Sequence, residues 1–155
     1  MLYIHLMNST DSSQSLLDAP HCVMSHLHRT DRVISRIYAE EMRPTGVGRS
    51  QFTILNVLDR SPAISVSGLA NRLAMERTTL TRNLKPLERE ALVARRVDPG
   101  DARQAQLVLT RAGRHKLDLA RRYWRRAQRR VIEAFGEDRW RELEAELSAL
   151  REVGR

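Results

Sequence analysis

Apolar positions recur along most of the chain with a helical period, and two short runs are β-like. Val23, Leu27, Thr30, Ile34 and Ile37 predict a first helix. It should begin around Asp18-Ala19-Pro20, a capping acid before a proline tolerated in the first turn, and stop near Met42, before Arg43-Pro44. Phe52, Leu55 and Leu58 predict a second helix from about Arg49 to Asp59. Ser65 is an N-cap for a short third helix with Leu69, Ala70 and Leu73 inward. After a tight Ala74-Met75-Glu76 turn, Leu80, Leu84 and Leu87 form the buried stripe of a fourth. Pro86 lies inside that stripe and predicts a kink, because it cannot donate to the Arg82 carbonyl. Leu92–Val97 and Gln106–Leu109 read as strands around an Asp98-Pro99-Gly100-Asp101 turn. Thr110 caps a long fifth helix with Leu117, Ala120, Trp124, Ala127, Val131 and Phe135 on one face, ended by Gly136. Trp140, Leu143, Leu147 and Leu150 give a last helix the three-four spacing of a helix-pairing seam.

The fold this predicts is mainly α with a small β-hairpin wing. A short helix, a three-residue turn and an amphipathic helix with a basic and hydroxyl outer face make a helix-turn-helix, and the hairpin beside it is the wing. Residues 1–20, with only Asp11 and Asp18 as charges, read as a flexible arm before a single domain over 21–155.

Charge sharpens this picture. The 155 residues carry 27 Lys and Arg against 19 Asp and Glu, a formal net charge of +8. Such an excess suggests a polyanionic partner. It is unevenly placed, because residues 111–130 alone hold nine basic groups against Asp118 and account for +8. The stretch that includes the helix-turn-helix and wing, 65–104, holds only +3. The six arginines 121, 122, 125, 126, 129 and 130 lie almost opposite the apolar face of the fifth helix. They are expected to be a solvated face, or to pair with Glu142, Glu144 and Glu146 of the last helix.

From about residue 22 to 153 the chain resembles the MarR (multiple antibiotic resistance regulator) type of winged-helix transcriptional regulator. The matching stretches are SVSGLANRLAMERTTLTRNLKPLEREALV (65–93) and DPGDARQAQLVLTRAG (98–113), preceded by SQFTILNVL (50–58). A D-x-R wing followed by L-T-x-x-G at this distance from a helix-turn-helix is the most specific part. The resemblance implies a winged helix-turn-helix at about 48–110 and dimerisation helices at about 21–43 and 111–153. It also implies a cytoplasmic homodimeric repressor on a double-stranded DNA operator, often released by a small phenolic or other aromatic effector. Ala91 stands where the family usually has Gly, Glu76 where an Asp usually caps, and Gly48 where Thr or Ser often caps.

On this reading the fourth helix enters the major groove. Arg77 and Arg82 have the fork that matches guanine O6 and N7. Thr78, Thr79 and Thr81 meet phosphates or thymine methyls, and Lys85 meets the backbone. Ser65 and Ser67 open the third helix, where free N–H groups favour a phosphate. At the wing Arg103 reaches the minor groove, oriented by Asp101. An effector pocket is expected between the first, second and fifth helices, with His26, Arg29, Phe52 and His115 as candidate lining.

Other chemistries are weaker. Cys22 and His26 lie one helical turn apart, but no further Cys exists to complete a metal site. The family includes peroxide sensors with a cysteine in this helix, yet Met24 takes that position, so Cys22 is expected to be an ordinary buried thiol rather than a redox sensor. A lone cysteine excludes an internal disulfide framework and fits a reducing cytoplasm. No apolar run approaches the roughly 20 residues of a membrane span. No nucleophile–base pair, carboxylate pair, phosphate loop or metal quartet argues for an enzyme, and no cofactor is expected. The alternative is a sequence-tolerant RNA-binding or architectural protein that uses the Arg121–Arg130 face.

Overall fold

The computed structural model describes residues 16–61, 63–97 and 105–153. The hairpin tip with Asp101 and Arg103, and most of the N-terminal arm, lie outside the described residues. The helices are α1 (Val23–Met42), α2 (Arg49–Arg60), α3 (Val66–Arg72), α4 (Arg77–Arg89), α5 (Arg111–Phe135) and α6 (Glu137–Glu152). The strands are β1 (Ile64–Ser65), β2 (Val93–Val97) and β3 (Ala105–Leu109), in the order β1-β3-β2 and antiparallel throughout. Val93 pairs with Leu109 and Val97 with Ala105 across the hairpin. β1, paired through Ile64 to Leu107, has no counterpart in the sequence reading because two residues are too few to show a period.

The chain divides after Arg36 into two units. In the first, a 3-10 turn at Ala19–His21 precedes α1, and Leu16, Leu17, Val23, Met24, Leu27 and Val33 are all exposed. The second holds the core, built where the stripes of α2, α4 and α5 meet the sheet. Ile54, Leu55, Leu69, Leu80, Leu84, Leu107 and Leu117 are each 0% exposed. Burying one such side chain contributes about 1.5–3 kcal/mol.

Local chemistry terminates the helices as the residues dictate. Ser65 Oγ accepts the Gly68 N–H (3.0 Å) at the start of α3, and Thr110 Oγ1 accepts the Gly113 N–H (2.9 Å) at the start of α5. Gly48 has no side chain to cap α2, and Gln51 compensates in part by accepting the Gly48 N–H at 2.9 Å. Glu76 makes no side-chain cap. Helices α3 and α4 both close in Schellman motifs. Met75 N–H donates to the Ala70 carbonyl and Ala74 N–H to Asn71, while Leu92 N–H donates to Leu87 and Ala91 N–H to Glu88. The residue that must turn left-handed is an alanine each time, Ala74 at φ 46° and Ala91 at φ 54°. That conformation costs about 1–2 kcal/mol without a glycine. Pro86 sits within the C-terminal part of α4, which still runs on to Arg89.

Candidate nucleic-acid interface

Helix α4 is held to the core by Leu80, Leu84 and Leu87 and so turns its other residues outward. Arg77, Thr78, Arg82 and Lys85 are exposed and Thr79 and Thr81 half-buried. Thr81 Oγ1 donates to the Arg77 carbonyl (2.8 Å), which leaves its methyl and both hydroxyl lone pairs to meet a partner. Arg77, Arg82 and Lys85 make no ion pair among the described residues, so three cations share one face of an otherwise well-packed helix. Ser65 Oγ accepts the Gly68 N–H and keeps its hydroxyl proton, and Ser67 is exposed one residue into α3.

The wing is tied to this helix by a contact that sequence reasoning missed. Arg95 Nε on β2 donates to Glu88 Oε1 on α4 at 2.7 Å. Seven residues separate them, and no spacing rule links a helix end to a strand. The pair fixes the base of the hairpin against the C-terminal turn of α4. Arg96, on the other face of β2, is exposed and extends the basic surface toward the wing.

The effector-pocket candidates are divided between the two units. In the first unit, His26 Nε2 lies 3.0 Å from the Pro20 carbonyl oxygen and Arg29 is exposed. In the second, Phe52 is buried and stacks on Trp124, with ring centroids 5.9 Å apart, and His115 is exposed. A cavity of about 230 Å³ does occur in the second unit, lined by none of these four. Tyr38, Met42 and Val47 form its apolar walls, with Arg43 and Arg49 among the remaining lining residues. Next to it Tyr38 Oη donates to Gln128 Oε1, and its ring meets Trp124 at 6.1 Å. Burial pushes the Tyr38 phenol above its ordinary pKa.

Two expectations are corrected. Cys22 is exposed, not buried, because it sits in the short turn that precedes α1. Hydrogen bonds from the Ser25 backbone and then its side chain favour the thiolate and lower the Cys22 pKa from the usual thiol value. On the Arg-rich face of α5, Arg122, Arg125 and Arg129 are exposed, as the solvated-face expectation has it, while the arginines that pair find partners other than Glu142, Glu144 and Glu146. Arg121 Nη2 binds Asp59 Oδ2 (2.8 Å) and Asn56 Oδ1 (3.0 Å) on α2, and Arg114 takes the other Asp59 oxygen at 2.6 Å. Arg126 and Arg130 lie 3.5 and 3.6 Å from Glu41 at the end of α1. Among the described residues Glu142, Glu144 and Glu146 receive none of these arginines.

Among the described residues no cluster of His, Cys, Asp and Glu could hold a metal, and no helix is long and apolar enough to cross a membrane.

Comparison with known proteins gives a consistent result. The model of the MarR family matches residues 45–104, which takes in α2 through the hairpin. An HTH-type transcriptional regulator of Bacillus subtilis, YdgJ, itself uncharacterised, is 30% identical over 88 residues, 57% of this chain and 54% of its own. The chain spans about half the length of the curated relatives it matches. Among solved structures, the transcriptional repressor CouR bound to a 23-mer DNA duplex superposes with a TM-score of 0.79 at 26% identity, covering 90% of this chain and 97% of that one. The M. tuberculosis transcriptional regulator MosR in complex with DNA gives 0.71 at 36% identity, covering 86% and 98%.

Proposed function

Because this chain belongs to the MarR family, we propose that it regulates transcription as a homodimer on a pseudo-palindromic operator in double-stranded DNA, acting in the cytoplasm as a repressor. The observation that carries this reading is the face of α4. Arg77, Thr78, Arg82 and Lys85 are presented together without intramolecular ion pairs, on a helix whose opposite face is locked into the core. A major groove about 12 Å wide admits such a helix, and bidentate arginines discriminate guanine there by about 1–3 kcal/mol each. Thr78, Thr79, Thr81 and Lys85 supply groove-edge and phosphate contacts, Ser65 and Ser67 a backbone contact, and the wing brings Arg103, held by Asp101, to the adjacent minor groove. The DNA-bound CouR and MosR structures support this use of the fold.

Release by a small aromatic molecule is part of the same proposal. A ligand acts only by binding one arrangement of the two reading helices better than another. The cavity beside Tyr38 and Met42 offers an apolar site of suitable size at the junction of α1 and α2, and His26, Arg29, Phe52 and His115 remain the candidates read from sequence.

Selection of bound duplexes from a random pool tests the main reading. The expected result is a two-fold-symmetric consensus with half-sites about one helical turn, ~10 bp, apart. Salt-steep binding with no consensus would overturn it and favour the sequence-tolerant alternative on the Arg121–Arg130 face. A screen for aromatic molecules that release the best duplex then tests the effector.

A further inference from the structure

Helix α2 meets α5 through one of its faces. Phe52, Asn56 and Asp59, spaced four and three apart, contact Trp124, Arg121 and Arg114 in the reverse order, so the two helices run antiparallel where they touch. The contacts differ in kind. The Phe52 and Trp124 rings stack with centroids 5.9 Å apart, an apolar contact with little directional demand. The polar end is directional. Asp59 Oδ1 accepts from Arg114 Nη1 at 2.6 Å and Oδ2 from Arg121 Nη2 at 2.8 Å. Asn56 Oδ1 accepts from the same Arg121, at 3.0 Å from Nη2 and 3.2 Å from Nε.

Asp59 is next to last in α2, where the helix dipole disfavours an acid, so the stability of its own helix does not explain it. Its side chain is only 15% exposed and depends on the two guanidiniums for its solvation. Arg114 and Arg121 lie seven residues, about 10 Å, apart along α5. A carboxylate held from both sides can neither slide along α5 nor turn about it without losing a charge-assisted hydrogen bond. Helix α2 in turn shares its core with α4, through Ile54, Leu55 and Leu58 on one side and Leu80, Leu84 and Leu87 on the other. The setting of α2 on α5 is therefore also the setting of the basic face of α4 relative to α5.

We propose that Asp59 is a positioning residue for operator binding, which through Arg114 and Arg121 fixes the reading head on α5 and so selects the spacing between half-sites. It touches no base or phosphate itself. The inference rests on the homodimer reading above, with α5 joining the two reading heads, and adds to it the group that holds their separation.

The test measures duplex affinity of the full chain on the selected operator, on versions with the spacer between half-sites lengthened or shortened by one base pair, and on a single half-site. One base pair moves the half-sites by about 3.4 Å and turns them by about 35°. The wild type is expected to lose about tenfold or more on either altered spacer. Asp59→Asn and, separately, Arg121→Gln free the joint, which then adapts to an altered spacing but must be ordered to fit the selected one. Each is expected to bind the selected operator about fivefold more weakly, to lose about threefold or less on the altered spacers, and to bind the single half-site within about twofold of wild type. The double variant is expected to match the weaker single variant to within about twofold, because both break one network. Circular dichroism establishes that each variant is folded, and Arg121→Gln decides alone if Asp59→Asn unfolds. Variants that weaken every duplex by one common factor, the single half-site included, overturn the inference and leave Asp59 a residue of stability alone. Variants that keep the wild-type preference among spacers overturn it as well, with the homodimer still standing. A selection that returns no two-fold-symmetric consensus overturns the homodimer reading itself.

Discussion

The backbone of α5 at Gly113 approaches the Leu92 carbonyl so closely that a Cβ there would lie 2.0 Å from the Leu92 oxygen. Thr110 stitches the same junction, donating its hydroxyl to the Ala91 carbonyl at 2.7 Å and accepting the Gly113 N–H. The L-T-x-x-G stretch therefore marks where the wing strand, the end of α4 and the start of α5 meet. Since the obstructing atom is backbone, Gly113→Ala is expected to lower stability by about 1–3 kcal/mol or more. Thermal unfolding would read this as a drop of several degrees, and an unchanged midpoint would deny the close approach.

Replacing the alanines in the two Schellman motifs should act the other way. Ala91→Gly and Ala74→Gly each remove left-handed strain at φ 54° and 46°. Part of that gain is offset by the greater freedom of glycine in the unfolded chain, so a net gain of about 0.5–1 kcal/mol is expected at each site. Urea unfolding with an unchanged slope and a raised midpoint would confirm it.

Tyr38 predicts a pH dependence. Burial raises its pKa above the ordinary 10 of a phenol. The folded state thus holds the proton more tightly than the unfolded state, so this contribution is complete below pH 10 and is lost as pH rises through the folded value. Tyr38→Phe is expected to cost about 0.5–1.5 kcal/mol at neutral pH through loss of the Gln128 hydrogen bond. It should also flatten the alkaline decline in stability, and an equally steep decline in both proteins above pH 10 would remove Tyr38 as its source.

The arginines of the interface and of α5 should separate by behaviour. Arg82→Ala is expected to cost about 1–3 kcal/mol of operator affinity and to relax preference at one base pair. Arg103→Ala should weaken binding about tenfold, ~1.4 kcal/mol, without lowering thermal stability. Arg122→Ala should alter the salt slope of DNA binding less than losing Arg82 and Lys85 together does. Titrations at fixed and at varied salt decide between these outcomes.

What the sequence determined by itself was everything set within a few residues along the chain. The helical stripes, the Ser65 and Thr110 caps, the hairpin and the outward face of α4 depend on local periods and short hydrogen bonds, and the structure places them where those periods require. The left-handed turn at Ala91 was legible too, through the glycine expected in its place. Only the tertiary structure decided which charges meet and what is left exposed. Asp59 and Glu41 capture Arg114, Arg121, Arg126 and Arg130 from across the fold, Glu88 holds Arg95, and Cys22 lies at the surface. The cavity likewise lies beside Tyr38, and none of the four candidates chosen by type lines it. Ion pairs and cavities arise where separate elements dock, and that docking is fixed by the summed packing of the core, which no spacing between two residues encodes.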